Sequence, residues 1–145
     1  LYAADAPIDP LKNKTVAIIG FGSQGHAHAQ NLRESGVNVI VANRRDSANG
    51  RLAIAKGFDP MSVEDAIQKS DLAILTLPDE KQPEIYNYSI KQRLKPGMAL
   101  GFTHGFNVHF KTIEIPSNVD VIMVAPKGPG HLVRSEFEKG GGVPC

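Results

Sequence analysis

A glycine-rich hexapeptide near the start of the chain has the spacing of a phosphate-binding turn. The sequence GFGSQG at residues 20–25 matches the pattern G-x-G-x-x-G and directly follows the apolar run Thr15–Ile19. In this pattern Gly20 permits a tight turn, Gly22 lets the backbone approach a pyrophosphate, and Gly25 lets the next helix pack closely on the strand. The motif and its position favour dinucleotide binding, and a strand-to-helix turn without a ligand is the alternative.

The residues after the second apolar run, residues 37–42, bear on which dinucleotide binds. They are Asn43, Arg44, Arg45, Asp46 and Ser47. An NAD site places a carboxylate at this strand end to bond the ribose 2′-OH, whereas arginine forks suit a 2′-phosphate. Because the arginines lie nearer the strand end, we predict NADPH, with Ser47 adding a hydroxyl donor. If the strand is longer, Asp46 bonds the ribose and the cofactor is NAD, and Arg45 can also belong to a solvated charged loop.

The elements that position these residues follow from alternating apolar runs and segments of helical spacing. Strands are predicted at residues 15–19, 37–42, 72–77, 98–102 and 119–124. Helices are predicted at residues 24–34, 62–69, 83–94 and 130–139, with Ser62 as the N-cap of the second. Unbroken apolar strands that alternate with helices are typical of parallel βαβ units. We therefore predict one α/β domain over residues 1–145, a doubly wound Rossmann-type, mostly parallel sheet with helices on both faces.

Composition excludes several classes of partner. The 145 residues are 41% hydrophobic and 21% charged, as in an ordinary globular domain, and the formal net charge is +1. This balance provides no strong electrostatic attraction for nucleic acid or anionic membrane, and no apolar run approaches the roughly 20 residues of a membrane span. Residues 1–5 lack the features of a signal peptide, and the single cysteine, Cys145, allows no internal disulfide. We expect no nucleic-acid partner, no membrane partner and a cytoplasmic location.

Four motifs, in order along the chain, carry a resemblance to one enzyme family. They are GSQGHAHA at residues 22–29, LPDEKQP at residues 77–83, HGFNVHF at residues 104–110 and VIMVAPKGPGH at residues 121–131. Together they resemble the N-terminal domain of ketol-acid reductoisomerase, also called acetohydroxy acid isomeroreductase, in its short bacterial-type form. The resemblance covers nearly the whole chain, and the last two motifs are highly specific.

The resemblance implies an enzyme of valine and isoleucine biosynthesis that uses NADPH and Mg²⁺. Its substrates are 2-hydroxy-3-keto acids, 2-acetolactate or 2-aceto-2-hydroxybutyrate, and its products are 2,3-dihydroxy acids formed by alkyl migration and reduction. The family's metal-binding carboxylates lie in a helical C-terminal domain that these residues do not contain, and a full-length member is expected to be a homo-oligomer. We therefore expect this chain to bind the cofactor, to hold no metal and to be inactive alone.

The resemblance also implies the roles of individual residues. Cofactor contacts are expected from Gly20, Phe21, Gly22, Ser23, Gln24 and Gly25 on the pyrophosphate side, from Arg44, Arg45 and Ser47 at the 2′-phosphate, from Asp79, Glu80, Lys81 and Gln82 beside the adenosine half, and from Gly130 near the nicotinamide. At Arg45 the family often has serine, and at Lys81 it often has an aliphatic residue, so a backbone contact is expected from Lys81.

Two side chains are the catalytic candidates. His104 matches the family's active-site histidine, and Lys127 lies in a Lys-Gly-Pro-Gly loop by the nicotinamide. Both follow predicted strands, at the carboxyl edge where α/β sheets bind ligands, and both side chains suit proton transfer or oxyanion stabilisation. Another NADP-dependent reductase would leave these two motifs unexplained, and a nucleotide-sensing domain without enzymatic activity would need neither side chain. A domain separated from its partner should also expose an apolar patch, expected at Phe106, Phe110 and the segment after Lys127.

Overall fold

A computed structural model describes residues 7–145, which form one parallel sheet flanked by helices. The strands are β1 (Thr15–Ile19), β2 (Asn38–Ala42), β3 (Leu72–Leu75), β4 (Ala99–Phe102) and β5 (Asp120–Met123). Their order is β2-β1-β3-β4-β5, and every neighbouring pair is parallel. The chain crosses back over β1 to reach β3, so the topological switch point lies beside β1. The predicted doubly wound sheet is confirmed. Residues 1–5, where no signal peptide was expected, lie outside the described residues.

The helices agree with the predictions in part. They are α1 (Ser23–Glu34), α2 (Ala48–Ala55), α3 (Val63–Lys69), α4 (Gln82–Ile85), α5 (Phe106–His109) and α6 (Gly130–Glu138). Ser62 caps α3 as predicted, because its hydroxyl accepts from the Asp65 N–H at 3.1 Å. The single helix predicted over residues 83–94 is instead α4, a π-helical turn (Tyr86–Ile90) and a 3₁₀ turn (Lys91–Arg93). Apolar spacing marks the buried face but does not distinguish these hydrogen-bonding patterns.

The helix α2 was not predicted. It begins after Ser47, whose hydroxyl accepts from the Gly50 N–H at 3.0 Å. A Cβ at Gly50 would lie 1.9 Å from the Arg44 carbonyl oxygen, so only glycine allows this helix to pack on the preceding loop. Asn49 and Gly50, in the first turn of α2, have low helix propensity, so helix propensity did not predict α2.

The two faces of the sheet bury separate clusters. On β1, Ala17 and Ile19 belong to one cluster, while Val16 and Ile18 belong to the other, and all four are fully buried. Helix α6 packs on α1, where Arg134 donates to both carboxylate oxygens of Glu34 at 2.9 and 2.6 Å. The hydrogen bond from Arg134 lowers the pKa of the Glu34 carboxyl. Helices therefore cover both faces around β1, as predicted. No helix within residues 7–145 is long and apolar enough to span a membrane.

Candidate functional site

A cleft of about 360 Å³ opens at the carboxyl edge of the sheet, at the switch point beside β1. Five segments line it: the glycine turn, Asn43 after β2, Asn49 of α2, residues 76–79 after β3, and the pair Thr103 and His104 after β4. The structure thus brings together the predicted phosphate-binding turn and the predicted catalytic histidine.

The glycine turn has two tight positions and one open position. Gly20 has φ +100°, and a Cβ at Gly25 would lie 2.3 Å from the Gly20 carbonyl oxygen, so both glycines are required by the protein itself. A Cβ at Gly22 would meet only the Asn49 amide, at 3.8 Å, which is ordinary contact. The protein's own packing therefore does not require glycine at position 22. A ligand that lies against the backbone there would require it.

The helix α1 presents its N-terminus to this cleft. Its N-cap is Gly22, and among the described residues no side chain caps the first turn, so backbone N–H groups remain available to an anion. The Phe21 side chain is buried against Phe58, with ring centroids 5.5 Å apart, so Phe21 can offer the cleft only its backbone. The amide of Phe21 donates to the Asn43 side-chain oxygen at 3.3 Å, which holds the turn against the end of β2.

Ser23 and Gln24 also hold the loop that carries Lys127. The Gly130 N–H donates to the Ser23 hydroxyl at 3.1 Å, and the Gln24 side chain donates to the Gly128 carbonyl at 2.9 Å. A Cβ at Gly130 would overlap the Ser23 carbonyl oxygen, so this contact requires glycine. The Lys127 side chain itself is exposed and does not line the cleft. The structure therefore brings Gly130 to the glycine turn and leaves Lys127 outside it.

The loop after β2 directs its hydrogen bonds inward. The Ser47 hydroxyl accepts from Gly50 N–H and from the Asn43 side chain and donates to the Arg44 carbonyl at 2.7 Å, so its hydrogen-bonding capacity is used. Arg45 pairs with Asp59 and donates to the Pro60 carbonyl at 3.1 Å. A contact of Ser47 or Arg45 with a 2′-phosphate stays a prediction, and it requires exchange of these bonds.

Arg44 and Arg45 line a second hollow, of about 420 Å³, that shares Asn43 with the cleft. Arg44 is exposed there. The two arginines therefore lie beyond Asn43, next to the glycine turn but not within the same cavity. A cofactor that extended from the cleft into this hollow would reach Arg44, so the predicted 2′-phosphate contact is geometrically possible and stays a prediction.

The loop after β3 meets the loop after β4. Asp79 Oδ2 lies 2.6 Å from His104 Nδ1, so the carboxylate that was expected beside the adenosine half contacts the catalytic candidate. Gln82 is buried, and its amide donates to the Leu77 carbonyl at 2.8 Å. The expected contact of Gln82 with the cofactor stays a prediction. The burial of the Gln82 side chain argues against that contact. The side chains of Glu80 and Lys81 are exposed.

Sequence reasoning missed several polar residues of the cleft, namely Asn43 as an orienting group, Asn49, Thr76 and Thr103. Asn43, Thr76 and Thr103 each follow directly on a strand, so the rule that ligands bind at the carboxyl ends of strands could have found them. Asn49 gave no such signal because it lies in the unpredicted α2. Within residues 7–145 no group of three or more His, Cys, Asp or Glu side chains is placed to hold a metal ion.

An apolar surface adjoins the cleft. A hollow of about 650 Å³ is lined by Phe106, Phe110 and the β5 residues 121–123, all of which are exposed. The expected exposure of Phe106 and Phe110 is confirmed, and it extends along β5. Within the segment after Lys127, Leu132 is also exposed.

Comparisons with known proteins agree with one another. Residues 10–145 match the family model described as acetohydroxy acid isomeroreductase, NADPH-binding domain. A curated relative, "Ketol-acid reductoisomerase (NADP(+))" from Clostridioides difficile (strain 630), is 52% identical over 144 residues, which are 99% of this chain and 44% of that protein. The chain therefore spans less than half the length of this relative.

Solved structures extend the comparison. The structure of an NADH-preferring ketol-acid reductoisomerase from an uncultured archean is 42% identical, with a TM-score of 0.95 over 99% of this chain and 45% of that one. A 3-hydroxyisobutyrate dehydrogenase from Mycobacterium tuberculosis is 18% identical, with a TM-score of 0.70 over 85% of this chain and 44% of that one. The second likeness concerns the fold alone.

Proposed function

The chain belongs to the acetohydroxy acid isomeroreductase family as its NADPH-binding domain, and we propose that it serves a whole protein that is a ketol-acid reductoisomerase. The proposed reaction converts 2-acetolactate or 2-aceto-2-hydroxybutyrate to the 2,3-dihydroxy acid, in valine and isoleucine biosynthesis. The observation that carries the proposal is the single cleft that joins an open glycine turn to His104.

The residues of this cleft fit a dinucleotide. The open space at Gly22 would accommodate a pyrophosphate against the backbone, and the uncapped N–H groups of α1 would bind it. Arg44 would pair with the adenosine 2′-phosphate. Bound NADPH would supply the hydride for the reduction step. His104, which lines the same cleft, would hold or move a proton at the substrate oxygen.

The remaining parts of the proposal concern the whole protein. Mg²⁺ has no fitting ligand set among residues 7–145, so we propose that its ligands lie in a helical C-terminal domain of the whole protein. Lys127 would approach the nicotinamide in the whole protein, which we propose to be a cytoplasmic homo-oligomer without nucleic-acid or membrane partners.

The activity is tested by comparing this chain with the chain extended by the rest of its coding sequence. The extended protein is expected to oxidise NADPH when 2-acetolactate and Mg²⁺ are added, and the 145-residue chain is not, because it holds no metal-ligand cluster among its described residues. In the extended protein His104→Ala should lower kcat by about a hundredfold, as is typical for loss of a proton-transfer group. No turnover by the extended protein, or equal turnover by both, would contradict the proposal.

Cofactor preference is tested on the 145-residue chain by calorimetric titration. We propose tighter binding of NADPH than NADH, and Arg44→Ala should cost about ten- to a hundredfold in NADPH affinity while NADH affinity stays nearly constant, because a charge-assisted contact is worth about 1.5–3 kcal/mol. The control is Lys69→Ala, an exposed cation at the opposite, amino edge of the sheet. A preference for NADH would transfer the ribose contact to Asp46.

A further inference from the structure

We propose that Asp79 is a positioning residue that fixes His104 in one tautomer and one orientation; this inference rests on the proposed function of the cleft. The His104 ring is exposed, so solvent alone would leave it free to rotate and to exchange tautomers. The Asp79 carboxylate, 2.6 Å from Nδ1, provides the one side-chain hydrogen bond to the ring among the described residues.

The direction of this bond is set by chemistry. An ionised carboxylate can only accept, so His104 Nδ1 must carry the proton whether the ring is neutral or charged. In the neutral ring Nε2 then has a free lone pair. Because His104 lines the cleft, that lone pair is available to take a proton from a reacting oxygen there.

Asp79 can orient His104 because its own loop is held by a buried amide pair. Asn107 donates to the Asp79 backbone carbonyl and to Gln82 Oε1, both at 3.0 Å, and Asn107 and Gln82 are each 1% exposed. The Gln82 side-chain amide also donates from Nε2 to Asp79 Oδ1 at 3.4 Å. The Thr112 hydroxyl donates to Asn107 Oδ1. The loop after β3 is thereby joined to the segment after β4, which contains His104 and, two residues into α5, Asn107. A carboxylate on a rigid support can restrict an exposed ring, as the proposal requires.

The tautomer is measured directly by ¹⁵N–¹H correlation spectra of the imidazole rings in the 145-residue chain, at alkaline pH where imidazoles are neutral. In the unmodified chain His104 is expected as the Nδ1–H tautomer. In Asp79→Ala the signal should shift to the Nε2–H form or to a mixture. Glu84→Ala, which removes an exposed carboxylate from the neighbouring α4, is the control and should leave the spectrum of His104 unchanged. An Nε2–H ring in the unmodified chain, or the same tautomer in Asp79→Ala, overturns the proposal.

Kinetics of the extended protein separate this proposal from the proposed function. Asp79→Ala should lower kcat with 2-acetolactate by about ten- to a hundredfold, as expected when an orienting partner is lost. An active protein with normal kcat in Asp79→Ala overturns the positioning role alone. If the unmodified extended protein is inactive but His104 is still the Nδ1–H tautomer, the proposed reaction is overturned. The positioning of His104 by Asp79 is then still supported.

Discussion

Strands β1 and β5 have the same apolar character in the sequence but opposite surroundings in the structure. β1 reads TVAII, and its residues 16–19 are fully buried between helices. β5 reads DVIM, and all four of its residues are exposed, Met123 to 60% of its surface. The difference lies in coverage by helices, because α1 and α3 pack on β1, whereas among the described residues no helix makes comparable contact with β5. Edge position alone does not explain it, since β2 lies at the other edge of the sheet and buries Val41 and Ala42. An apolar run thus predicts a strand without specifying whether other elements cover it.

The same contrast divides the candidate site. The half beside β1 is tightly packed, because a Cβ at Gly20 would lie 2.8 Å from the Leu77 side chain and a Cβ at Gly25 would lie 2.3 Å from the Gly20 carbonyl oxygen. The half beside β4 and β5 lies next to exposed apolar residues, including Phe106 and Phe110. We expect substitutions on the β1 side to change folding stability strongly, and substitutions on the β5 side to change surface properties.

The largest effect is expected at the glycine turn. Gly25→Ala would place a Cβ 2.3 Å from the Gly20 carbonyl oxygen, a backbone atom that cannot move without disturbing β1. The free energy of unfolding should fall by about 3 kcal/mol or more, measured by urea denaturation. Gly142→Ala is the matched control, because no atom lies within 4 Å of its added Cβ. Equal stability of the two variants would mean that the turn is less tightly packed than described.

A pair of isoleucines tests the contrast between the two strands directly. Ile18→Ala in β1 removes a side chain that is 0% exposed and should cost about 2–5 kcal/mol of unfolding free energy. Ile122→Ala in β5 removes one that is 40% exposed and should cost about 1 kcal/mol or less, because less apolar surface is buried there. Both are measured in the same denaturation series. Similar costs would show that β5 is covered in solution, for example by self-association.

The exposed surface beside β5 can be probed with a hydrophobic fluorescent dye. Phe110→Lys should lower dye fluorescence by about twofold, because Phe110 is 62% exposed within a continuous apolar surface that dyes bind. Tyr88→Lys is the control, since Tyr88 is 78% exposed and lies outside that surface. An equal decrease in both variants would contradict the assignment of dye binding to the surface beside β5.

The smallest effect is a dependence of folding stability on pH that arises from His28. His28 on α1 shares a hollow with Ile74 of β3 and Ile122 of β5, and burial, with a smaller contribution from His26, lowers the pKa of its imidazole. The unfolded state therefore binds this proton more readily, so stability should rise with pH through the region just below 6.5. His28→Asn should reduce that slope in denaturation curves. His131→Asn, at an exposed position, is the control, and an equal change in both variants would exclude His28 as the source.

Much of the fold followed from local pattern. The strand positions were predicted to within two residues at each end, and the structure confirms a parallel, doubly wound sheet around them. The helix α2 was missed because its stability comes from the Ser47 cap and from close packing at Gly50, which propensity does not register. The π-helical turn at Tyr86–Ile90 was missed because apolar spacing does not reveal the hydrogen-bonding pattern.

By itself the sequence determined the glycine turn, the strand-helix alternation and the motifs that identify the family, because these depend on residue type and on spacing along the chain. Tertiary structure alone decided that Asp79 contacts His104, that Gln82 is buried, that Arg45 pairs with Asp59 and that Lys127 lies outside the cleft. Asp79 and His104 are 25 residues apart and meet only because β3 and β4 are parallel neighbours that end at the same edge. Spacing along the chain reports local geometry, whereas the neighbours of a side chain depend on how distant segments pack.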